Sequence, residues 1–222
     1  MSQRLESELG GKGDSKGEKT LQEATTEYKN NPTSPEALTQ FMRAFWAEAG
    51  QRIGKNIAVD NFPLTVREIK EKAKEGQMAI FVPDGVNRVD LGKMFPKMGS
   101  WAVKENSIVD VINNYGWLWV EASVEAPNRN TTQTELEEKF KKEGKQGQPL
   151  RTYIIGGQIS KLLTDKYFDE GSTWSRLLGS CVGCRVLYSL FRSDGRLDVG
   201  SLLRSWLRVG SLGGRSEEVI KL

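Results

Sequence analysis

The chain has 222 residues, 32 basic against 29 acidic side chains, 37 % hydrophobic residues, two cysteines and no histidine. That length can bury a real core in one domain, with or without a tail, while a mean hydropathy of −0.50 lies on the polar side of globular proteins. The missing histidine excludes Ser-His-Asp and Cys-His nucleophiles and histidine-ligated zinc, and no apolar run approaches the roughly 20 residues needed to span a bilayer.

The N-terminal stretch MSQRLESELGGKGDSKGEK has no apolar h-region, so it is not a signal peptide, and a cytoplasmic, non-secreted protein is the expectation. Residues 1–32 are Gly, Ser, Lys, Glu and Gln with few large apolar groups and read as a flexible polar arm. Order is expected from Ser34, an N-cap hydroxyl followed by Pro35 and Glu36. Leu38, Phe41, Met42, Phe45 and Trp46 then fall on one helical face. A second helix is bracketed by a Thr65/Glu68 capping box and by Gly76.

MAIFVP at 78–83 reads as a strand ended by Pro83 and the Asp84-Gly85 turn. NSIVDVINNYG looks like a helix closed at Gly116, and WLWVEASVE fits strand or buried helix. A charged helix is predicted from Thr132 to Glu143. RTYIIGG reads as a strand and ISKLLTDKYF as a helical turn or two. The glycines of IIGGQIS lack the third glycine and downstream acid of a dinucleotide fingerprint, and GGKG at 10–13 lacks the context of a phosphate loop.

Residues 173–222 stand apart. From Trp174 to Arg215 there are seven arginines against Asp194 and Asp198, and no lysine occurs between Tyr167 and Ile220. Cys181 and Cys184 form a single C-x-x-C, which cannot complete a four-ligand zinc site alone and reads as packing. Asp198 can cap a helix in which Val199, Leu202, Leu203, Trp206 and Leu207 share an apolar stripe, with Arg204 and Arg208 on the outer face. Asp194-Gly195 would be the turn before it, favouring helix-turn-helix over a hairpin.

The expected fold is therefore mainly α with a minor β component, α+β being the variant: arm 1–32, helical core 33–172 and an Arg-rich segment 173–222 ending in an amphipathic helix. The expected function is a non-catalytic nucleic-acid-binding or assembly protein of capsid or nucleocapsid layout, favouring single-stranded RNA and self-associating, with no cofactor. Guanidinium forks match phosphates and aromatic rings stack bases. The candidate binding residues are Arg88, Lys93, Lys97, Trp101, Lys104, Arg185, Arg192, Arg196, Arg204 and Arg208. The alternative is a protein adaptor docking through Val199, Leu202, Leu203, Trp206 and Leu207, with a variant in which that basic helix rests on an anionic membrane. A histidine-free enzyme using carboxylates or the two thiols comes third.

Overall fold

The computed structural model describes residues 19–104, 108–183, 185–202 and 206–221. It opens with α1 (Leu21–Asn30) and α2 (Pro35–Gln51), packed on each other through Tyr28 and Phe41, whose rings stack 5.3 Å apart. Helix α1 lies in the stretch whose composition reads as an arm, and it starts at a Thr20/Glu23 capping box. In α2 the periodic Leu38, Phe41, Met42, Phe45 and Trp46 are all buried. Each such side chain contributes about 1.5–3 kcal/mol. Trp46 also donates its indole N–H to the Phe81 carbonyl at 3.0 Å, fixing α2 on the first strand.

Helix α3 (Val66–Lys74) begins at the Thr65/Glu68 box, and Gly76 follows at φ +74. Strand β1 (Gln77–Val82) and helix α4 (Arg88–Met94) come next, then two single 3-10 turns, 96–98 and 101–103. The remaining elements are β2 (Val109–Asp110), β3 (Gly116–Glu121), α5 (Gln133–Lys142), β4 (Gln146–Gly147), α6 (Leu150–Thr164), β5 (Trp174–Val182), β6 (Arg185–Phe191), β7 (Leu197–Leu202), β8 (Leu212–Gly214) and β9 (Ser216–Val219).

Among the described residues, six α-helices and nine strands in two sheets make this an α+β fold, which corrects the expectation of a mainly α chain. One sheet runs β1-β3-β9-β4, all antiparallel, with Ile80 opposite Leu118 and Leu118 opposite Val219. The other runs β2-β5-β6-β7, with β8 parallel to β5. The two meet where β8 passes into β9 through the single residue Arg215, and where the Gln148 amide bonds the Arg215 carbonyl while its own carbonyl accepts from Gly179. Helix α6 packs against both β1 and β5.

Three local expectations fail for identifiable reasons. RTYIIGG belongs to α6, a helix buried nearly all round, for which hydrophobic periodicity cannot separate helix from strand. NSIVDVINNYG forms no helix in its described part: β-branched Val109 pairs with Cys181, and residues 111–115 lead to β3.

The amphipathic C-terminal helix is replaced by β7, whose residues pair with β6 from Phe191↔Leu197 to Val186↔Leu202. Val199, Gly200 and Ser201 are weak helix formers, and Tyr188 lies so close over Gly200 that a Cβ there would meet its ring at 2.3 Å. Gly195 at φ +89 makes the connection a hairpin instead of helix-turn-helix. Among the described residues no helix is long and apolar enough to cross a membrane.

Candidate functional site

The arginines of the C-terminal fifth do not converge on an exposed ribbon. Arg176 is buried and donates to the Thr131 and Leu207 carbonyls. Arg215 is buried beside Asp169. Arg192 pairs with Asp198 at 2.7 Å, Arg196 with Asp194 at 2.8 Å, and Arg208 with Glu135. Arg185 is exposed at the start of β6, and Arg204 lies outside the described residues.

The docking stripe is likewise dispersed. Val199 packs partly against the core from β7, Leu202 ends that strand, and Leu203 lies outside the described residues. Trp206 sits exposed in a turn with half-buried Leu207 beyond it. Cys181 is half-buried on β5 between Val109 and Val186 as a free thiol, and Cys184 lies outside the described residues.

The lysine-rich segment fares differently. Lys93, Lys97 and Lys104 are exposed and carry no ion pair among the described residues. Trp101, 37 % exposed, donates its indole N–H to the Val199 carbonyl at 3.1 Å. Lys97 reaches the β6–β7 turn, where its Cβ lies 3.5 Å from the Cβ position of Gly195. This segment therefore lies along the hairpin that carries Arg192 and Arg196.

Arg88 turns inward. It donates to the Ala102 carbonyl at 2.8 Å and to the Ile108 carbonyl, and its Nε lies 3.4 Å from Asp110 Oδ2. From Asp110 a continuous polar cluster draws on β2, β4, β5, α6 and β9 and on the β2–β3 connection. Asp110 accepts from the Ser180 hydroxyl, whose oxygen takes the Leu150 N–H at 2.8 Å at the start of α6. One residue on, Arg151 donates to the Asn114 carbonyl at 3.0 Å and lays its guanidinium 4.4 Å from the centre of the Tyr115 ring. The Asn114 amide donates at 2.8 Å to both Glu217 Oε1 and Gln146 Oε1. Asn114 is thus the joint between a buried cation and a buried acid.

Six buried side-chain polar atoms have no hydrogen-bond partner among the described residues, and five belong to Gln148, Arg151, Thr152 and Glu217. An unmade hydrogen bond at a buried polar group costs about 1–3 kcal/mol, more for a charge, which makes the start of α6 and Glu217 a candidate site. Arg151 is only 4 % exposed and has no carboxylate within ion-pair distance among the described residues. Burial pushes the Glu217 carboxyl up to about 7, only partly offset by the Thr152 hydroxyl, the Asn114 amide and the Arg151 charge, while Asp110 pushes it higher.

The cluster opens to solvent through a recess of about 260 Å³ lined by Asn87, Arg88, Val89, Asp110, Asn113, Tyr115 and Arg151. Chemically it offers two guanidiniums, one already paired and one not, with a ring that is 41 % exposed. Among the described residues no group of three His, Cys, Asp or Glu side chains could hold a metal ion.

Apart from Arg88, none of these residues stands out in the sequence, because the cluster draws single residues from segments more than 100 positions apart. The usable signal is Arg151, a charge at the head of the apolar run TYII, followed by a polar face at Thr152. No protein-family model, curated protein or solved structure matches the chain.

Proposed function

We propose that this protein is a non-catalytic binder of single-stranded nucleic acid, RNA being favoured, which seats a phosphate in the Arg88–Arg151 recess. The observation that carries the reading is Arg151: a buried guanidinium with no carboxylate within ion-pair distance among the described residues, on a residue that lines an open recess. A guanidinium fork matches phosphate oxygens in geometry and charge, and it tolerates desolvation better than an ammonium. Tyr115, with Arg151 against one face, supplies an aromatic surface beside the phosphate position for a base.

Helix α4 connects this recess to the lysines. Asn87 and Arg88 at its start line the recess, and Lys93 lies near its other end, about 8 Å along the axis. Lys97 follows in sequence, and the turn holding Trp101 and Lys104 folds back beside α4, where Arg88 donates to the Ala102 carbonyl, so a strand leaving the recess has cations and an indole near its path. The basic contribution comes from this segment and not from the ion-paired arginines of β6 and β7.

Fluorescence anisotropy of the full chain with a labelled single-stranded RNA tests the reading. Affinity is expected to fall linearly with log salt, with a smaller slope in a Lys93→Ala, Lys97→Ala, Lys104→Ala variant and weaker binding at every salt in Arg151→Gln. Absence of binding at low salt, or binding indifferent to salt, overturns it.

A further inference from the structure

Resting on that reading, we infer that the recess recognises the end of a nucleic-acid strand, a terminal phosphate monoester, in preference to a phosphodiester inside the chain. Access comes first. Arg151 is 4 % exposed and lines a recess of about 260 Å³, just under the roughly 300–1,000 Å³ of clefts that enclose a drug-sized ligand. An internal phosphate carries nucleotides on both sides and cannot bring its oxygens to a side chain this deep without two exits. A terminal phosphate needs only one.

Charge points the same way. A phosphate monoester carries about −1.5 to −2 at neutral pH and presents three strong acceptor oxygens. A diester carries a single charge. The recess offers two guanidiniums, Arg151 and Arg88, with one lining carboxylate, Asp110, which lies 3.4 Å from Arg88 and also accepts from Ser180. The three acceptor oxygens of a monoester can engage both guanidiniums at once, whereas a diester presents only two.

Shape supplies the third argument. Tyr115 lies at the recess and is 41 % exposed, while its contact with Arg151 fixes the ring. The terminal base can then stack on the ring face turned away from Arg151 while its phosphate lies against the guanidinium, and the next nucleotides run outward along α4. Asn114 acts here as a positioning residue: its carbonyl holds Arg151 while its amide is held by Glu217 and Gln146.

The experiment compares one short adenylate RNA bearing a 5′-phosphate, a 3′-phosphate or hydroxyls at both ends, with adenosine monophosphate as competitor, at fixed salt. Wild type is expected to bind one phosphorylated end about tenfold or more tighter than the hydroxyl form, the worth of one charge-assisted bidentate contact. Arg151→Gln should erase that preference and leave the residual affinity near that of the hydroxyl form. Because Arg151 is buried, its variant is checked by urea midpoint, and exposed Tyr115→Leu provides a second variant in which the preference shrinks while the fold stands. Equal affinity for all three ends, with the salt slope retained, overturns end recognition and leaves the nucleic-acid reading intact. No binding of any RNA overturns both. Adenosine monophosphate binding as tightly as the phosphorylated RNA also overturns it, by moving the ligand to a free mononucleotide.

Discussion

Arg215 Nη2 lies 3.4 Å from Asp169 Oδ1, and neither side chain has any solvent exposure. The guanidinium also sits 3.9 Å over the Phe168 ring and donates to the Ser123 and Val124 carbonyls, each at 2.9 Å, while Asp169 accepts from Tyr153, Thr173 and Ser175. Burial of Tyr153 next to this carboxylate raises its phenol well above the ordinary range. All of this surrounds the one residue through which the chain passes from the second sheet to the first. Removing one member of a buried pair leaves the other charge uncompensated, a loss of about 3–5 kcal/mol. Asp169→Asn keeps the volume and tolerates the native φ of +59, so it isolates the charge. Its urea unfolding midpoint should drop by an amount equivalent to at least about 3 kcal/mol; an unchanged midpoint would show that the carbonyl acceptors alone hold Arg215.

The paired glycines of α6 give a second prediction. A Cβ on Gly157 would lie 2.3 Å from Phe191 Cε2, and one on Gly156 would lie 2.6 Å from Phe168 Cε2. The pair that resembles a fragment of a nucleotide motif in the sequence is a packing notch for two phenylalanines. Gly157→Ala gains up to about 1 kcal/mol in helix propensity yet must displace a fully buried ring. Overpacking of that kind costs about 1–3 kcal/mol. The thermal midpoint is expected to fall, and a rise would mean that Phe191 has room to move.

How far the sequence discloses this molecule depends on where each element's determinants lie. Helices α2, α3 and α5 carry their own start signals at Ser34, Thr65 and Thr132 and bury one stripe each, so local chemistry suffices. Helix α6 has Pro149 at its N-cap position, without a side-chain cap, and no polar stripe. The C-terminal strands depend on partners such as Leu187 and Leu177 across the sheet, so a helical spacing at Val199–Leu207 loses to pairing with β6. The recess is hidden for the same reason: Asp110, Asn114, Arg151 and Glu217 become neighbours only when α6 is laid across both sheets.

The placement of cations separates two sets of basic residues that look equivalent in sequence. Arg192, Arg196 and Arg208 each spend their charge on a carboxylate, and Arg196 shares Asp194 with its own backbone N–H. These pairs are exposed and screened by solvent, so they contribute little to stability. In RNA titrations across salt, Arg192→Ala, Arg196→Ala, Arg208→Ala should change the slope less than Lys93→Ala, Lys97→Ala, Lys104→Ala. The reverse ranking would return the binding surface to the β6–β7 hairpin.

Glu217 sets a pH dependence whose sign follows from its surroundings. It is met by Arg151 and Thr152 from α6, by Asn114 from the β2–β3 connection, and by the charge of Asp110 from β2. Its carboxyl, ordinarily near 4.5, is pushed up to about 7. Between those two values the folded chain holds a proton that the unfolded chain has released, so stability falls as pH rises. The contribution is intact below about 4.5 and is lost by about 7, with a span on the order of 3 kcal/mol. Glu217→Gln keeps the shape and removes the titration. The wild-type minus variant difference in unfolding free energy should therefore decline across this window and level off above it. A difference that stays flat from pH 4.5 to about 8 would mean that the acid is ionised throughout and that the Asn114 joint holds a carboxylate, not a carboxylic acid.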